Sequence, residues 1–156
     1  MPTLSLRTPY LVFVGDEARV TYAKTGRGIV DWRREHCAGQ LRLSGEACDL
    51  GLPDLTVAEA ASAGVGSLVI GTALVGGGIP PSWIATLTEA ARAGIDIVAG
   101  LHTRLASIPE LAAAAAEGSA RLVDVRTPPS GLPVGGGKKR TGKRLLTVGT
   151  DCALGK

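Results

Sequence analysis

Short apolar runs alternate along the chain with segments whose apolar residues recur at helical spacing, and glycine or proline punctuates each change. Tyr10 to Val14 (YLVFV) predicts a strand ended by Gly15 and Asp16. Arg19 to Ala23 predicts a short second strand or an extension, Thr25 to His36 a helix, and Gln40 to Leu43 another extended piece. Thr56 opens the next helix, because T-V-A-E is a capping box with Glu59 reaching back to the cap, and Gly64 stops it. Ser67 to Thr72 (SLVIGT) carries an uncharged, largely apolar run bounded by glycines, which suits a central strand covered on both faces. Pro80 and Pro81 start a helix whose Ile84, Leu87, Ala90 and Ala91 share one face, and Gly94 ends it. Ile95 to Ala99, the alanine-rich helix Pro109 to Glu117 with Gly118 as its stop, and Arg121 to Val125 complete the succession. The β-α-β-α-β order predicts an α/β fold, a parallel sheet with helices on both faces. Trp32 and Trp83, each inside an amphipathic helix, are expected as core anchors.

The pattern breaks at residue 126. RTPPSGLPVGGGKKRTGK, residues 126 to 143, holds three prolines, five glycines and five basic groups with no acid, and reads as a linker or surface loop. Arg144 to Val148 (RLLTV) predicts one more strand, followed by GTDCALGK.

Charge divides at the same point. The net +3 over 156 residues is the sum of ten basic and thirteen acidic groups in residues 1 to 125, and seven basic groups against Asp151 in residues 126 to 156. The basic excess belongs to the tail. Aromatic residues make up 3% of the chain, too few to interleave with a spread of basic groups, so a nucleic-acid footprint is not expected. Three cysteines, Cys37, Cys48 and Cys152, form no CxxC pair and fit a reduced, cytoplasmic protein. No apolar run approaches the ~20 residues of a membrane span. His36, Cys37 and Cys48 lack the paired spacing of a metal site, and none is expected.

Gly149-Thr150-Asp151-Cys-Ala-Leu-Gly155-Lys156 follows an apolar run, where a phosphate-binding loop belongs. Successive backbone N–H groups wrap a phosphate, glycine permits close approach, and the lysine reaches the outer phosphates. Thr150 stands where the first glycine of G-x-x-x-x-G-K usually sits, and the form GTDxxxGK resembles the variant loop of dethiobiotin synthetase. These features predict residues 1–125 as one domain, 126–143 as a basic linker and 144–156 as the start of a second, P-loop domain that the chain cuts short.

In open parallel sheets ligands sit beyond the carboxyl ends of the strands. The loops expected there carry Lys24 and Thr25, Asp49 and Asp54, Thr72 with Gly76 to Gly78, and His102 with Arg104. His102 titrates near neutrality and Arg104 can clamp a carboxylate, so with Lys24 they suit an acidic substrate. Asp54 equally suits support of the turn before Thr56, and His102 a helix start.

Together YAKTGRGIVDWR (Tyr22 to Arg33), GQLRL (Gly39 to Leu43), DLGLPDLT (Asp49 to Thr56), GLHTRL (Gly100 to Leu105) and VGTDCALGK (Val148 to Lys156) resemble a family long catalogued as of unknown function. That family has an N-terminal Rossmann-like domain and a C-terminal P-loop domain, and its members include D-glutamate N-acetyltransferase. The resemblance implies acetyl-CoA as cosubstrate, with its pyrophosphate on Gly149, Thr150, Asp151, Gly155 and Lys156. It implies an acidic amino acid as acceptor, with Lys24, Thr25, Asp54 and Arg104 as partners and His102 or Asp49 as base. An ATP-dependent ligase or kinase using ATP and magnesium, and a non-catalytic module for acidic metabolites, remain the alternatives. A homo-oligomer stays open.

Overall fold

The computed structural model describes residues 4–127, 131–133, 135–139 and 141–149. Five parallel strands form one sheet: β1 (Tyr10–Gly15), β2 (Cys37–Arg42), β3 (Ser67–Ile70), β4 (Asp96–Ala99) and β5 (Leu122–Asp124), in the order β2-β1-β3-β4-β5. The helices are α1 (Lys24–Arg33), α2 (Val57–Ser62), α3 (Pro81–Arg92) and α4 (Pro109–Gly118). SLVIGT supplies the central strand, with every residue of β3 buried.

Strand alternation sends successive side chains to opposite faces and so creates two cores. Val12 and Val14 of β1 meet Ala23 and Val30 at α1, together with Cys48, Leu50 and Leu52. Leu11, Phe13, Leu68, Ile70, Ile97 and Ala99 face the other way, onto α2, α3 and α4. The largest buried side chain there is Trp83, whose indole stands edge-on to Phe13 with ring centroids 5.0 Å apart.

Four details differ from the pattern-based expectation. Arg19 to Ala23 is not extended: Val20–Tyr22 form a 3-10 turn in which Tyr22 N–H donates to Arg19 O and Ala23 N–H to Val20 O. Arg19 turns back onto the buried carboxylate of Glu17 and lies over the Tyr22 ring, which closes the turn locally. Trp32 is 83% exposed, on the solvent side of α1, whereas Trp83 is fully buried as expected. The left-handed residue that ends α4 is Ser119 (φ 54°), not Gly118. Gly118 is glycine for a different reason: a Cβ there would lie 2.0 Å from the Ala91 carbonyl oxygen of α3. Finally, Arg144 to Val148 carries no strand; Leu145 is 97% exposed, and no sheet neighbour pairs with it among the described residues. The capping box at Thr56 is formed, with Glu59 N–H donating to Thr56 Oγ1 and Thr56 N–H to Glu59 Oε2.

The amino ends of the strands are tied by one buried carboxylate. Asp96, at the start of β4, is fully buried and accepts from Arg7 Nε (2.9 Å), Arg121 N (2.7 Å) and Arg121 Nε (2.7 Å), with a further bond from Arg7 Nη2. Arg7 O in turn accepts from Ser67 Oγ at the start of β3. Burial alone would push the Asp96 carboxyl upward, but the two guanidinium partners outweigh it and hold it below the usual carboxylate range.

Candidate functional site

A sheet in this order has its topological switch point between β1 and β3, the usual place for a ligand crevice. Here both faces of that point are filled. On one side the first turn of α1 closes down: Gly26 N–H donates to Gly71 O at 2.7 Å, and a Cβ on Gly71 would sit 2.8 Å from the Gly26 Cα. On the other, Trp83 lies against Gly15 (φ 67°), where a Cβ would meet the indole at 2.4 Å, and the indole Nε1 donates to Asp16 Oδ1 at 2.8 Å.

The open space lies two strands further along. A cleft of about 230 Å³ opens at the carboxyl ends of β4 and β5, lined by Leu101, His102, Arg104, Asp124, Arg126 and Thr127. Its shape follows from two short-range constraints. Gly76 and Gly77 both take positive φ, and Gly77 O accepts from the His102 N–H at 2.8 Å. The His102 ring lies so close to Gly77 that a Cβ there would meet it at 2.7 Å. The glycine triplet is therefore the seat of His102 as well as a turn. Across the cleft, Asp124 Oδ1 accepts from Leu105 N–H at 3.1 Å, which joins the loop after β4 to the end of β5.

Seven arginines (7, 19, 27, 33, 42, 92 and 121) each engage a carboxylate. Among the described residues Arg34, Arg104, Arg126 and Arg144 engage none; Arg34 donates to Gly51 O, and Arg104 and Arg126 are in this cleft. Arg126 Nη1 stands 3.0 Å from His102 Nε2. Two guanidinium groups without a carboxylate partner, in one concave site, have the donor geometry that suits carboxylate or another planar oxyanion.

The structure brings His102 and Arg104 together but leaves the other expected residues elsewhere. Lys24 and Thr25 are exposed in the first turn of α1, beyond β1, and do not line the cleft. Asp49 is held by Gln40 Nε2 (2.8 Å) and Gly51 N–H (2.7 Å), and these bonds lower its pKa. A carboxylate so engaged is a weaker base than the sequence reading assumed. Asp54 lies beside the outer edge of β2, paired with Gln40 in a parallel bridge, and accepts from Arg42 Nε at 2.8 Å. The Arg42 guanidinium holds its carboxyl below the ordinary range. Both aspartates thus serve the return of the chain along an edge strand, where Gln40 N–H donates to Pro53 O and Leu55 N–H to Gln40 O. Gly149 is described, in an irregular exposed stretch, whereas Thr150, Asp151, Gly155 and Lys156 lie outside the described residues.

Sequence reasoning missed Arg126, Asp124 and Asp16. Arg126 was grouped with the linker because of its composition, yet it follows directly on β5, and the carboxyl-end rule applied to that strand would have selected it. Among the described residues there is no cluster of metal-ligating side chains, and no helix is long and apolar enough to cross a membrane.

Residues 37–128 match a domain of unknown function, DUF1611_N, described as a Rossmann-like domain. Two curated proteins named D-glutamate N-acetyltransferase are similar to the chain. The one from Tritonibacter scottomollicae is 46% identical over 97% of this chain and 45% of its own length. The one from a Pseudoalteromonas species is 39% identical over 98% of this chain and 46% of its own length. The chain spans a little under half the length of these relatives. A crystal structure of a DUF1611 family protein from Anabaena variabilis is similar with a TM-score of 0.68 and 30% identity, over 86% of this chain and 41% of that one. With its five-stranded parallel sheet and most of its length matched, the chain belongs to the DUF1611 family and carries that family's Rossmann-like domain.

Proposed function

We propose that this domain supplies the acidic-substrate site of an N-acetyltransferase that moves an acetyl group from acetyl-CoA to the amine of D-glutamate or a similar acidic amino acid. The observation that carries this reading is the pair of arginines without carboxylate partners, Arg104 and Arg126, beside His102 in one cleft. Glutamate presents two carboxylates for two guanidinium groups, and the names of the two relatives point to the same substrate.

The chemistry asks little more of this domain than binding and one proton. The substrate ammonium gives one proton to a base, the role proposed for His102, and thence to solvent. The nitrogen lone pair forms the C–N bond to the thioester carbonyl. The C–S bond then breaks with its electron pair on sulfur, which takes the second proton released by nitrogen. Gly149, Thr150, Asp151, Gly155 and Lys156 are proposed to hold the coenzyme pyrophosphate through backbone N–H groups and the lysine side chain. The proposal makes residues 1–125 the first of two domains, joined to the P-loop through the basic segment.

The test is a chimaera in which this chain replaces the matching residues of the Tritonibacter scottomollicae protein. Thiol release is followed with D-glutamate and acetyl-CoA, and in parallel phosphate release with ATP and magnesium. D-glutamate-dependent thiol release that falls at least tenfold in Arg104→Ala supports the reading. ATP turnover would favour the ligase or kinase alternative, and D-glutamate binding without either product would favour a binding module.

A further inference from the structure

An arginine side chain has donors and no acceptor, so the 3.0 Å contact between Arg126 Nη1 and His102 Nε2 has a single reading: the guanidinium donates and Nε2 accepts. An accepting Nε2 requires the ring proton to be on Nδ1. The His102 backbone N–H is held by Gly77 O and its ring lies against the Gly77 backbone, which sets the imidazole beside the Arg126 guanidinium. The lone pair that a general base would use is therefore occupied by the same guanidinium that a substrate carboxylate would seek.

We infer that Arg126 is a positioning residue that occupies the Nε2 lone pair of His102 and yields it when its guanidinium is drawn onto a substrate carboxylate. The inference takes its anionic substrate from the function proposed above. Exchange is favourable in direction: an imidazole nitrogen is a neutral acceptor, whereas a carboxylate offers a charge-assisted and bidentate pair, about twice as strong per bond. The groups facing His102 permit the movement. Gly77 offers only backbone, Arg104 shares the cleft, and Asp124 already accepts from Leu105 N–H through Oδ1. Arg126 itself is exposed and lies just beyond the last hydrogen bond of β5, Val125 N–H to Ala99 O, so its side chain can move without disturbing the sheet. The consequence is selectivity by activation: an amine without a carboxylate can enter the cleft but leaves the base covered.

The nitrogen-15 spectrum of the imidazoles, recorded on this chain, tests the exchange. His102→Gln assigns the signals, since His36 is the other histidine. The expected result is an Nδ1–H tautomer with Nε2 as acceptor. Saturating D-glutamate or glutarate moves the Nε2 signal, Arg126→Ala moves it in the same sense without any acid, and the neutral isostere glutaramide does not move it. In the chimaera, Arg126→Ala raises KM for D-glutamate by about tenfold or more, narrows the preference for acidic over neutral amines, and is partly rescued by Arg126→Lys. An Nε2 signal unmoved by both glutarate and Arg126→Ala overturns the inference, even if acetyl transfer is found. Movement of the signal in a chimaera that transfers no acetyl group overturns the proposed function and leaves the carboxylate-for-imidazole exchange standing.

Discussion

Replacing Asp96 by asparagine is the sharpest test of what holds this sheet together. The substitution keeps the size of the side chain and one acceptor oxygen, and removes the charge. It also turns an –NH2 donor toward Arg7 or Arg121, where each carboxylate oxygen now accepts from both residues. Hydrogen bonds to charged groups contribute roughly 1.5–3 kcal/mol each, and breaking a buried ion pair by changing one partner costs about 3–5 kcal/mol. Both arginine side chains are about half exposed and can be rehydrated, which favours the low end. A loss of about 3 kcal/mol is expected, roughly a hundredfold in the folded-to-unfolded ratio. In a domain of this size it lowers Tm by about 10 °C.

The assay is urea denaturation followed by Trp83 fluorescence in a Trp32→Phe background, with the slope m compared between variants to confirm that Cm alone has moved. The pH dependence gives a second reading with a definite sign. The folded-state pKa of Asp96 is depressed, so its contribution is fully present above the unfolded value of about 3.9 and is lost as pH falls through the folded value. The stability gap between the wild-type chain and Asp96→Asn must therefore shrink at the acid end. A loss below about 1 kcal/mol at pH 7, or a gap that stays constant into strong acid, would refute the clamp as argued.

The remaining predictions concern packing and the cleft. Gly118→Ala drives a Cβ into the Ala91 and Arg92 carbonyls of α3 and should destabilise by about 2–3 kcal/mol, read as a fall in Cm. Ser119→Gly relieves a left-handed residue at the end of α4 and should stabilise by about 0.5–1 kcal/mol in the same measurement; a loss would mean the serine side chain contributes more than its backbone costs. Trp32→Ala should shift stability by no more than about 0.5 kcal/mol, whereas Trp83→Ala should cost about 3–5 kcal/mol by opening a cavity against Phe13 and Gly15, both read by thermal unfolding with circular dichroism. Gly77→Ala should displace His102 and weaken D-glutamate binding by calorimetry, with a stability loss of about 1–2 kcal/mol from its positive φ.

Most of the sheet was legible because its signals are local. A run such as SLVIGT, the T-V-A-E box and the paired prolines before α3 each specify an element within a few residues. Trp32 was misjudged because an amphipathic helix has two faces, and only packing decides which of them carries a given indole. The site was half legible for a related reason. Strand ends can be read, which selects His102 and Arg104, the two expected residues that line the cleft. Whether an aspartate in a rim loop is free or bound to its neighbours depends on how the chain returns, and Asp49 and Asp54 are spent on the edge of β2. Arg126 was obscured by the composition of the segment that follows it.

The two ends of the sheet divide their tasks in a way that makes the cleft intelligible. At the amino ends, arginines are neutralised: Arg7 and Arg121 converge on one buried carboxylate, and their charge goes into holding β3, β4 and β5 together with the segment leading into β1. At the carboxyl ends of β4 and β5, Arg104 and Arg126 are left without a carboxylate, and the latter lies against an imidazole nitrogen, Nε2 of His102. Leaving a guanidinium on so poor a partner contributes little to folding, and two such residues in one cleft are not needed to close the fold that Asp96 already secures. Their retained capacity for a stronger acceptor is the property expected of a binding site, and it accords with the proposed carboxylate substrate, because a planar, bidentate anion satisfies what the imidazole cannot.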